Sequence, residues 1–326
     1  MKFKVLLTYF DPPSYTAGEV ERRLLARVDA EVLGPIRCRT EEELIAAARD
    51  VDAILLDQGP LTRRVLDALH KIRAVVNVSV GIDNIDLQAA TEKRVLVANV
   101  PDFCTIDVAE HTIALLLALR RKLLQAIIST RSGTFDWVKI RPLERLAGKT
   151  AGIAGFGRIG QAVAKRLKGF EMNIIAYDPL LPRQVFEQAG VATVGLDELF
   201  KRSDIVLIHS WMSKENFHLI NEDQLKSMKK TALIVNAARG SLINEKALLK
   251  ALSEGWIGGA ALDVLESDLH WKDNPLLKLD NVLVTPHLGW YSEQALVDLQ
   301  TKAAEEIARV LQGSPPKNLV NKEVLP

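Results

Sequence analysis

The stretch "GKTAGIAGFGRIG" (residues 148–160) decides the fold. An apolar run, TAGIA, meets three glycines spaced Gly155-x-Gly157-x-x-Gly160, and the QAVAKRLK that follows has helical periodicity. A strand entering a helix through such a turn needs its first glycine for a tight reversal and its third for close strand–helix packing. The second lets the backbone approach a pyrophosphate, which the free N–H groups of the helix N-terminus attract. Phe156, Arg158 and Ile159 belong to the same cofactor turn. Eighteen residues beyond Gly160, Asp178 ends the run NIIAYD. A carboxylate there accepts hydrogen bonds from the adenosine ribose hydroxyls and repels a 2′-phosphate, so NAD is expected over NADP. Only the nearby Arg183 points the other way.

Downstream, NIIAYDP, DIVLIHS, ALIVNAA, GAALDVL and NVLVTP continue the alternation, giving six strands with helices between them. Upstream, KVLLTYF, AEVLG, DAILLD, AVVNVSV and VLVANVP alternate with helical-period segments from the first residues onward. Such alternation predicts α/β architecture with two doubly wound parallel-sheet domains. A single long helix is expected from about Thr105 to Ser129, joining the two halves. The chain closes with an amphipathic helix, SEQALVDLQTKAAEEIARVLQG, and an extended tail, SPPKNLVNKEVLP.

Composition narrows the function class. The 326 residues are 48% hydrophobic and 25% charged, ordinary for a soluble protein of two domains. Lys+Arg number 42 against Asp+Glu 41, so no bulk field draws nucleic acid or an anionic membrane. The first apolar run breaks at Asp11-Pro12-Pro13 with no cleavage site, and reads as a strand rather than a signal peptide. TIALLLAL (112–119) is far short of a membrane span. Cys38 and Cys104 fit neither a disulfide framework nor a metal-ligand spacing, so no metal is expected and the protein is placed in the cytoplasm.

Of six histidines, His287 in "TPHLGW" stands apart, because it follows the last strand of the nucleotide-binding half. Arg239 in NAARG and Asp263 in ALDV follow two other strands, and ligands of open α/β sheets sit at such strand ends. Reducing a 2-oxo acid with NADH requires a hydride on carbon and a proton on oxygen. An imidazolium can give that proton near neutral pH, and a guanidinium can hold a carboxylate in two-point geometry. A carboxylate beside the histidine would orient its ring and favour its charged form.

At this point SVGIDNID, GFGRIG, NAARG, GAALDV and TPHLGW, in this order, resemble the D-isomer-specific 2-hydroxyacid dehydrogenase family over essentially the whole chain. HLGWYSEQA and NLVNKEVL are most similar to the branch containing the C-terminal binding proteins and their bacterial dehydrogenase relatives. The resemblance implies a flavodoxin-like substrate domain (1–100 and 290–326, discontinuous) and a Rossmann NAD domain (101–289), with the site in a cleft between them. It implies Arg239 for substrate binding, His287 as acid/base with an acidic partner, and Asp263 on the nicotinamide carboxamide. Val80 and Gly81 would offer backbone N–H groups to the substrate carboxylate. His209, Ser210 and Trp211 would border the adenine, and Ala237, Ala238 and Gly289 would line the cofactor.

The family's acidic partner is usually a glutamate followed by proline; DVLESDLHW has Asp268 and Leu269 there. Aspartate is shorter by one methylene, roughly 1.5 Å of reach. Asp268 is the expected partner, with Glu266 as the second candidate. Asn77 stands where relatives of the C-terminal binding protein type have arginine, and Asp57 and Gln58 would be poor partners for a phosphate. A small unphosphorylated 2-oxo acid is therefore expected, with Trp290 as an apolar wall of the substrate site.

The segment 120–147 corresponds to the family's dimerisation arm, and Leu123, Leu124, Ile127, Ile128, Phe135 and Trp137 would otherwise form a large apolar patch. A homodimer is expected. The leading expectation is an NAD-dependent 2-oxo acid reductase. The alternatives are an NAD(H)-sensing dimeric binding protein of the C-terminal binding protein type and a phosphoglycerate dehydrogenase-like enzyme.

Overall fold

The computed structural model describes residues 2–9, 18–57 and 59–325, apart from the Leu269 side chain. The Asp11-Pro12-Pro13 break and Gln58 lie outside the described residues. The chain divides into two compact units, Met1–Cys104 with Tyr291–Pro326, and Thr105–Trp290.

The first unit runs β1 (Phe3–Tyr9), α1 (Glu19–Leu25), β2 (Ala30–Arg37), α2 (Glu41–Ala48), β3 (Ala53–Leu56), α3 (Arg63–Ala68), β4 (Ala74–Asn77), α4 (Leu87–Glu92) and β5 (Leu96–Ala98). Its sheet is wholly parallel, in the order β2-β1-β3-β4-β5. AILL and AVVN are buried at every position, which is why they read as continuous apolar runs rather than alternating ones. Helix starts follow local chemistry: Thr40 and Glu43 form a capping box on α2, and Thr62 and Asp86 cap α3 and α4. The C-terminal tail covers the β5 edge. Val320 N–H donates to Val97 O at 2.8 Å, and Asn321 Oδ1 accepts from Val97 N–H at 2.9 Å. An otherwise open row of backbone groups is thereby satisfied.

The second unit runs α5 (Thr105–Arg120), α6 (Leu123–Arg131), β6 (Thr150–Ala154), α7 (Arg158–Lys168), β7 (Asn173–Tyr177), α8 (Arg183–Ala189), β8 (Ala192–Thr193), α9 (Leu196–Arg202), β9 (Ile205–Ile208), α10 (Glu222–Ser227), β10 (Leu233–Asn236), α11 (Glu245–Ser253), β11 (Gly259–Leu262) and β12 (Val282–Val284). A last helix, α12 (Glu293–Leu311), returns to the first unit and packs on α1, β3 and β4. The second sheet is also parallel, ordered β12-β11-β10-β9-β6-β7-β8, so the chain steps outward from β6 in one direction and from β9 in the other. That reversal at β6/β9 is the switch point where such sheets bind ligands.

Two details differ from expectation. There are seven strands, not six, because two residues, Ala192 and Thr193, extend the edge beside β7; so short a pair leaves no periodic signal. The single helix expected from Thr105 to Ser129 is two helices. Lys122 adopts a left-handed φ of 48°, where the buried face of α5 ends and α6, with no buried residue, begins. Among the described residues, no helix is long and apolar enough to cross a membrane, and no group of His, Cys, Asp and Glu could hold a metal ion.

Candidate active site

The glycine turn is built as its spacing demands. Gly155 sits at φ +91°, and a Cβ there would lie 2.3 Å from Ser210 N, so the turn and the end of β9 touch backbone to backbone. A Cβ on Gly160 would meet Gly155 O at 2.3 Å, which fixes how closely α7 approaches β6. A Cβ on Gly157 would meet nothing within 4 Å, and no side chain caps α7. The helix N-terminus is therefore open where a pyrophosphate would lie. Phe156 is buried beneath the turn and stacks on Phe186, with centroids 4.9 Å apart. Arg158 is exposed and Ile159 half-buried. Asp178 accepts from Phe156 N–H at 2.9 Å and from Leu180 N–H at 3.1 Å, so the acid is fixed to the turn. Arg183 pairs with Glu187 along α8 at 3.0 Å.

His209 lies beside this turn, its N–H donating to Ala154 O at 2.7 Å. The residue as a whole is half-buried, but both ring nitrogens are buried and, among the described residues, neither has a partner. Burial pushes its pKa down to about 4. A partnerless polar group, an uncapped helix start and open space over Gly157 are together what an adenine dinucleotide would fill. Ser210 is half-buried and Trp211 exposed.

Asn236, at the end of β10, shapes the next loop. It accepts from Ala238 N–H at 3.0 Å and donates through Nδ2 to Arg239 O at 2.9 Å, folding Ala237, Ala238 and Arg239 into a tight turn. Arg239 Nη1 donates to Ala238 O at 2.9 Å. Gly240 follows because a Cβ there would lie 1.9 Å from Leu265 O.

Asp263, at the end of β11, is buried and ionised. Burial pushes its carboxyl pKa up, but hydrogen bonds from His111, Thr285, Gly289 N–H and Leu288 N–H more than offset this and hold it below the ordinary range. His287 follows at the end of β12 in a left-handed conformation, φ 52°. Its Nδ1 lies 2.9 Å from Asp268 Oδ2, and Asp268 Oδ1 accepts from Leu265 N–H at 2.7 Å. Glu266 is engaged elsewhere, with His218 Nε2 at 2.9 Å. The second unit thus brings Asp268 to His287, and leaves Glu266 away from it. Gly289 is buried and Trp290 half-buried.

In the first unit, the Val80 and Gly81 carbonyls are turned inward. Val80 O accepts from Asn99 Nδ2 at 2.6 Å; Gly81 O accepts from Asn77 Nδ2 at 2.6 Å and Ser79 Oγ at 2.8 Å. Among the described residues neither the Val80 nor the Gly81 N–H donates to another group. Asn77 is buried within this loop, and Asp57 is buried beside Thr8. The reading from residue types missed His111 and Thr285, whose roles arise from a contact between distant segments, and Asn236, whose role is a local turn of two hydrogen bonds.

The family model described as "D-isomer specific 2-hydroxyacid dehydrogenase, NAD binding domain" matches residues 113–289. A D-3-phosphoglycerate dehydrogenase of Methanocaldococcus jannaschii is 46% identical over 289 residues, covering 88% of this chain and 55% of its own. The chain thus spans about half the length of that relative. A glyoxylate reductase of Korarchaeum cryptofilum is 40% identical over 291 residues, covering 88% of this chain and 87% of its own. A solved structure, an acyclic imino acid reductase in complex with NADPH and D-Arg, superposes with a TM-score of 0.87 at 30% identity, covering 97% of this chain and 99% of its own. The chain belongs to the D-isomer specific 2-hydroxyacid dehydrogenase family, and its second unit contains the NAD-binding domain.

Proposed function

We propose that the protein is an NAD-dependent reductase of a small, unphosphorylated 2-oxo acid, giving the D-2-hydroxy acid. The observation that carries this reading is the His287–Asp268 pair, 2.9 Å apart, at the end of a strand whose sheet also holds the glycine turn. The Gly155–Gly160 turn and Asp178 would hold NADH, which would supply the hydride. Nδ1 of His287 is engaged by Asp268, which leaves Nε2 to give a proton to the carbonyl oxygen. Arg239 holds the substrate carboxylate and polarises the carbonyl; in the first unit the Val80 and Gly81 N–H groups donate to no other group among the described residues. Asp263 serves the nicotinamide carboxamide, and Trp290 limits the side chain accepted. Asp178 disfavours NADP, although a structural relative binds NADPH.

The protein works as a homodimer. Phe135 is 97% exposed and Trp137 74%, with Leu123, Leu124, Ile127 and Ile128 also exposed, an apolar surface that association would cover. Two buried cysteines, neither in a disulfide, fit a reducing cytoplasm. Replacing Phe135 and Trp137 by Asp should leave a monomer in analytical ultracentrifugation.

The deciding assay is NADH consumption, beside NADPH, over 2-oxo acids graded by side-chain size and including phosphohydroxypyruvate, with His287→Gln in parallel. Saturable NADH-linked turnover that collapses in the variant is expected. Tight NADH binding with no turnover on any substrate would overturn the reading in favour of a dinucleotide-sensing binding protein. Preference for phosphohydroxypyruvate would overturn the exclusion of phosphate.

A further inference from the structure

His111 projects from α5, a helix packed on α7, β10 and β11. Its Nε2 lies 3.1 Å from Thr285 Oγ1 and 3.2 Å from Asp263 Oδ1, and its side chain is 85% buried (15% exposed). Proton counting fixes the tautomer. Asp263 is ionised and cannot donate, so the 2.6 Å contact from Thr285 uses the hydroxyl's one proton toward Asp263 Oδ1. Toward His111, Thr285 Oγ1 can then only accept. The proton of the contact therefore sits on Nε2, which donates into the cleft between the hydroxyl and the carboxylate.

Asp263 is in turn the anchor of the catalytic turn. Its carbonyl accepts from His287 N–H at 2.8 Å, Oδ1 from Leu288 N–H at 3.0 Å and Oδ2 from Gly289 N–H at 2.8 Å. Three consecutive amides thus converge on one residue. A Cβ at Gly289 would lie 2.8 Å from Asp263 Oδ2 and 3.0 Å from His111 Cδ2, so the turn closes directly on both side chains. Holding His287 in a left-handed backbone conformation requires the surroundings to over-determine it, and this set of bonds does so.

We propose that His111 is a positioning residue for the reaction: its Nε2–H locks Asp263 and Thr285, and through them the left-handed turn that aims the His287 imidazole. The kinetic arm of the test rests on the reductase reading; the exchange arm does not. A donor at Nε2 is reproduced by glutamine, whose amide nitrogen reaches the same distance along the side chain, and not by asparagine, whose nitrogen falls near Nδ1. His111→Gln, His111→Asn and His111→Leu separate this role from simple packing, which would grade them by volume. A displacement of about 1 Å at the reacting group can cost on the order of 100-fold. We expect kcat to fall at least about tenfold in H111N and H111L with the KM for the 2-oxo acid changed far less, and H111Q to recover to within about threefold.

Hydrogen exchange over residues 285–290 should accelerate in H111N and H111L and return toward the wild-type rate in H111Q. Unchanged exchange in H111L would overturn the proposal whatever the protein reduces. Equal loss of kcat in all three variants would overturn it too, by showing that the hydrogen-bond donor is not what matters. A wild-type protein without turnover would sink the reductase reading alone, since the exchange comparison still decides the role of His111.

Discussion

His209 makes the stability of this protein sensitive to acid. An unperturbed histidine titrates at 6.5, whereas burial of both ring nitrogens beside the glycine turn lowers His209 to about 4. In the unfolded chain the ring takes up a proton as pH falls through 6.5; in the folded chain it does so only near 4. Its contribution is therefore fully present above the unfolded value and is lost progressively across that window, by preferential protonation of the unfolded state. With these two values, linkage gives a cost of roughly 2–3 kcal/mol near pH 4.5 against well under about 1 kcal/mol near pH 7. The measurement is denaturant unfolding of wild type and His209→Gln between those pH values, followed by a probe in the second unit. Other groups contribute to the acid slope of both proteins alike, so the difference between the two curves isolates His209. The variant should lose about 2 kcal/mol less than wild type on acidification, whatever its stability at neutral pH. Parallel curves would refute the reasoning, because they would mean that the ring protonates in the folded state as readily as in the unfolded one.

Four further outcomes follow from the site. Gly155→Ala should destabilise the fold by about 2 kcal/mol or more in thermal or denaturant unfolding, since the residue needs φ +91° and has no room for Cβ. Gly157→Ala, with open space before it, should change stability by less than about 0.5 kcal/mol yet weaken NADH binding in a fluorescence titration. Asp178→Ala frees the Phe156 and Leu180 amides and removes the charge proposed to face the ribose, so NADH affinity should fall roughly tenfold while NADPH loses less, as read by paired titrations. Asp268→Asn removes the carboxylate from His287 Nδ1 and should cut kcat on the order of 100-fold, with Asp268→Glu retaining more activity, in steady-state assays.

Much of the architecture was legible because it rests on local signals. Continuous apolar runs marked the buried parallel strands, and the glycine spacing marked the β6–α7 turn. What escaped lacks local expression. The β8 edge has two residues and no period. The break at Lys122 follows from burial ending after Arg120, which composition does not register. His111 is 174 residues from Thr285, so nothing near it in the chain announces that partner. The choice between Asp268 and Glu266 likewise could not be made by spacing, since it depends on His218 occupying Glu266 from another loop.

The aspartate at 268 raises a question of reach that the neighbouring loops answer. An acid one methylene shorter than the family's usual glutamate touches His287 Nδ1 only if its backbone lies closer to the β12 end. Two features draw it in. Residue 240 is glycine, and the absence of Cβ lets the Arg239 loop press against the backbone of Leu265 and Glu266. Asp268 Oδ1 then closes a local bond to Leu265 N–H at 2.7 Å, turning Oδ2 toward the histidine. Glu266, clamped between His218 and the N-terminus of α11 at Glu245, prevents the segment from relaxing outward. On this argument the positions of Arg239 and Asp268 are coupled through Gly240. A Gly240→Ala substitution, with Leu265 O in its way, should displace both Arg239 and the histidine's partner, and on the proposed roles of these residues it raises KM and lowers kcat together rather than either alone.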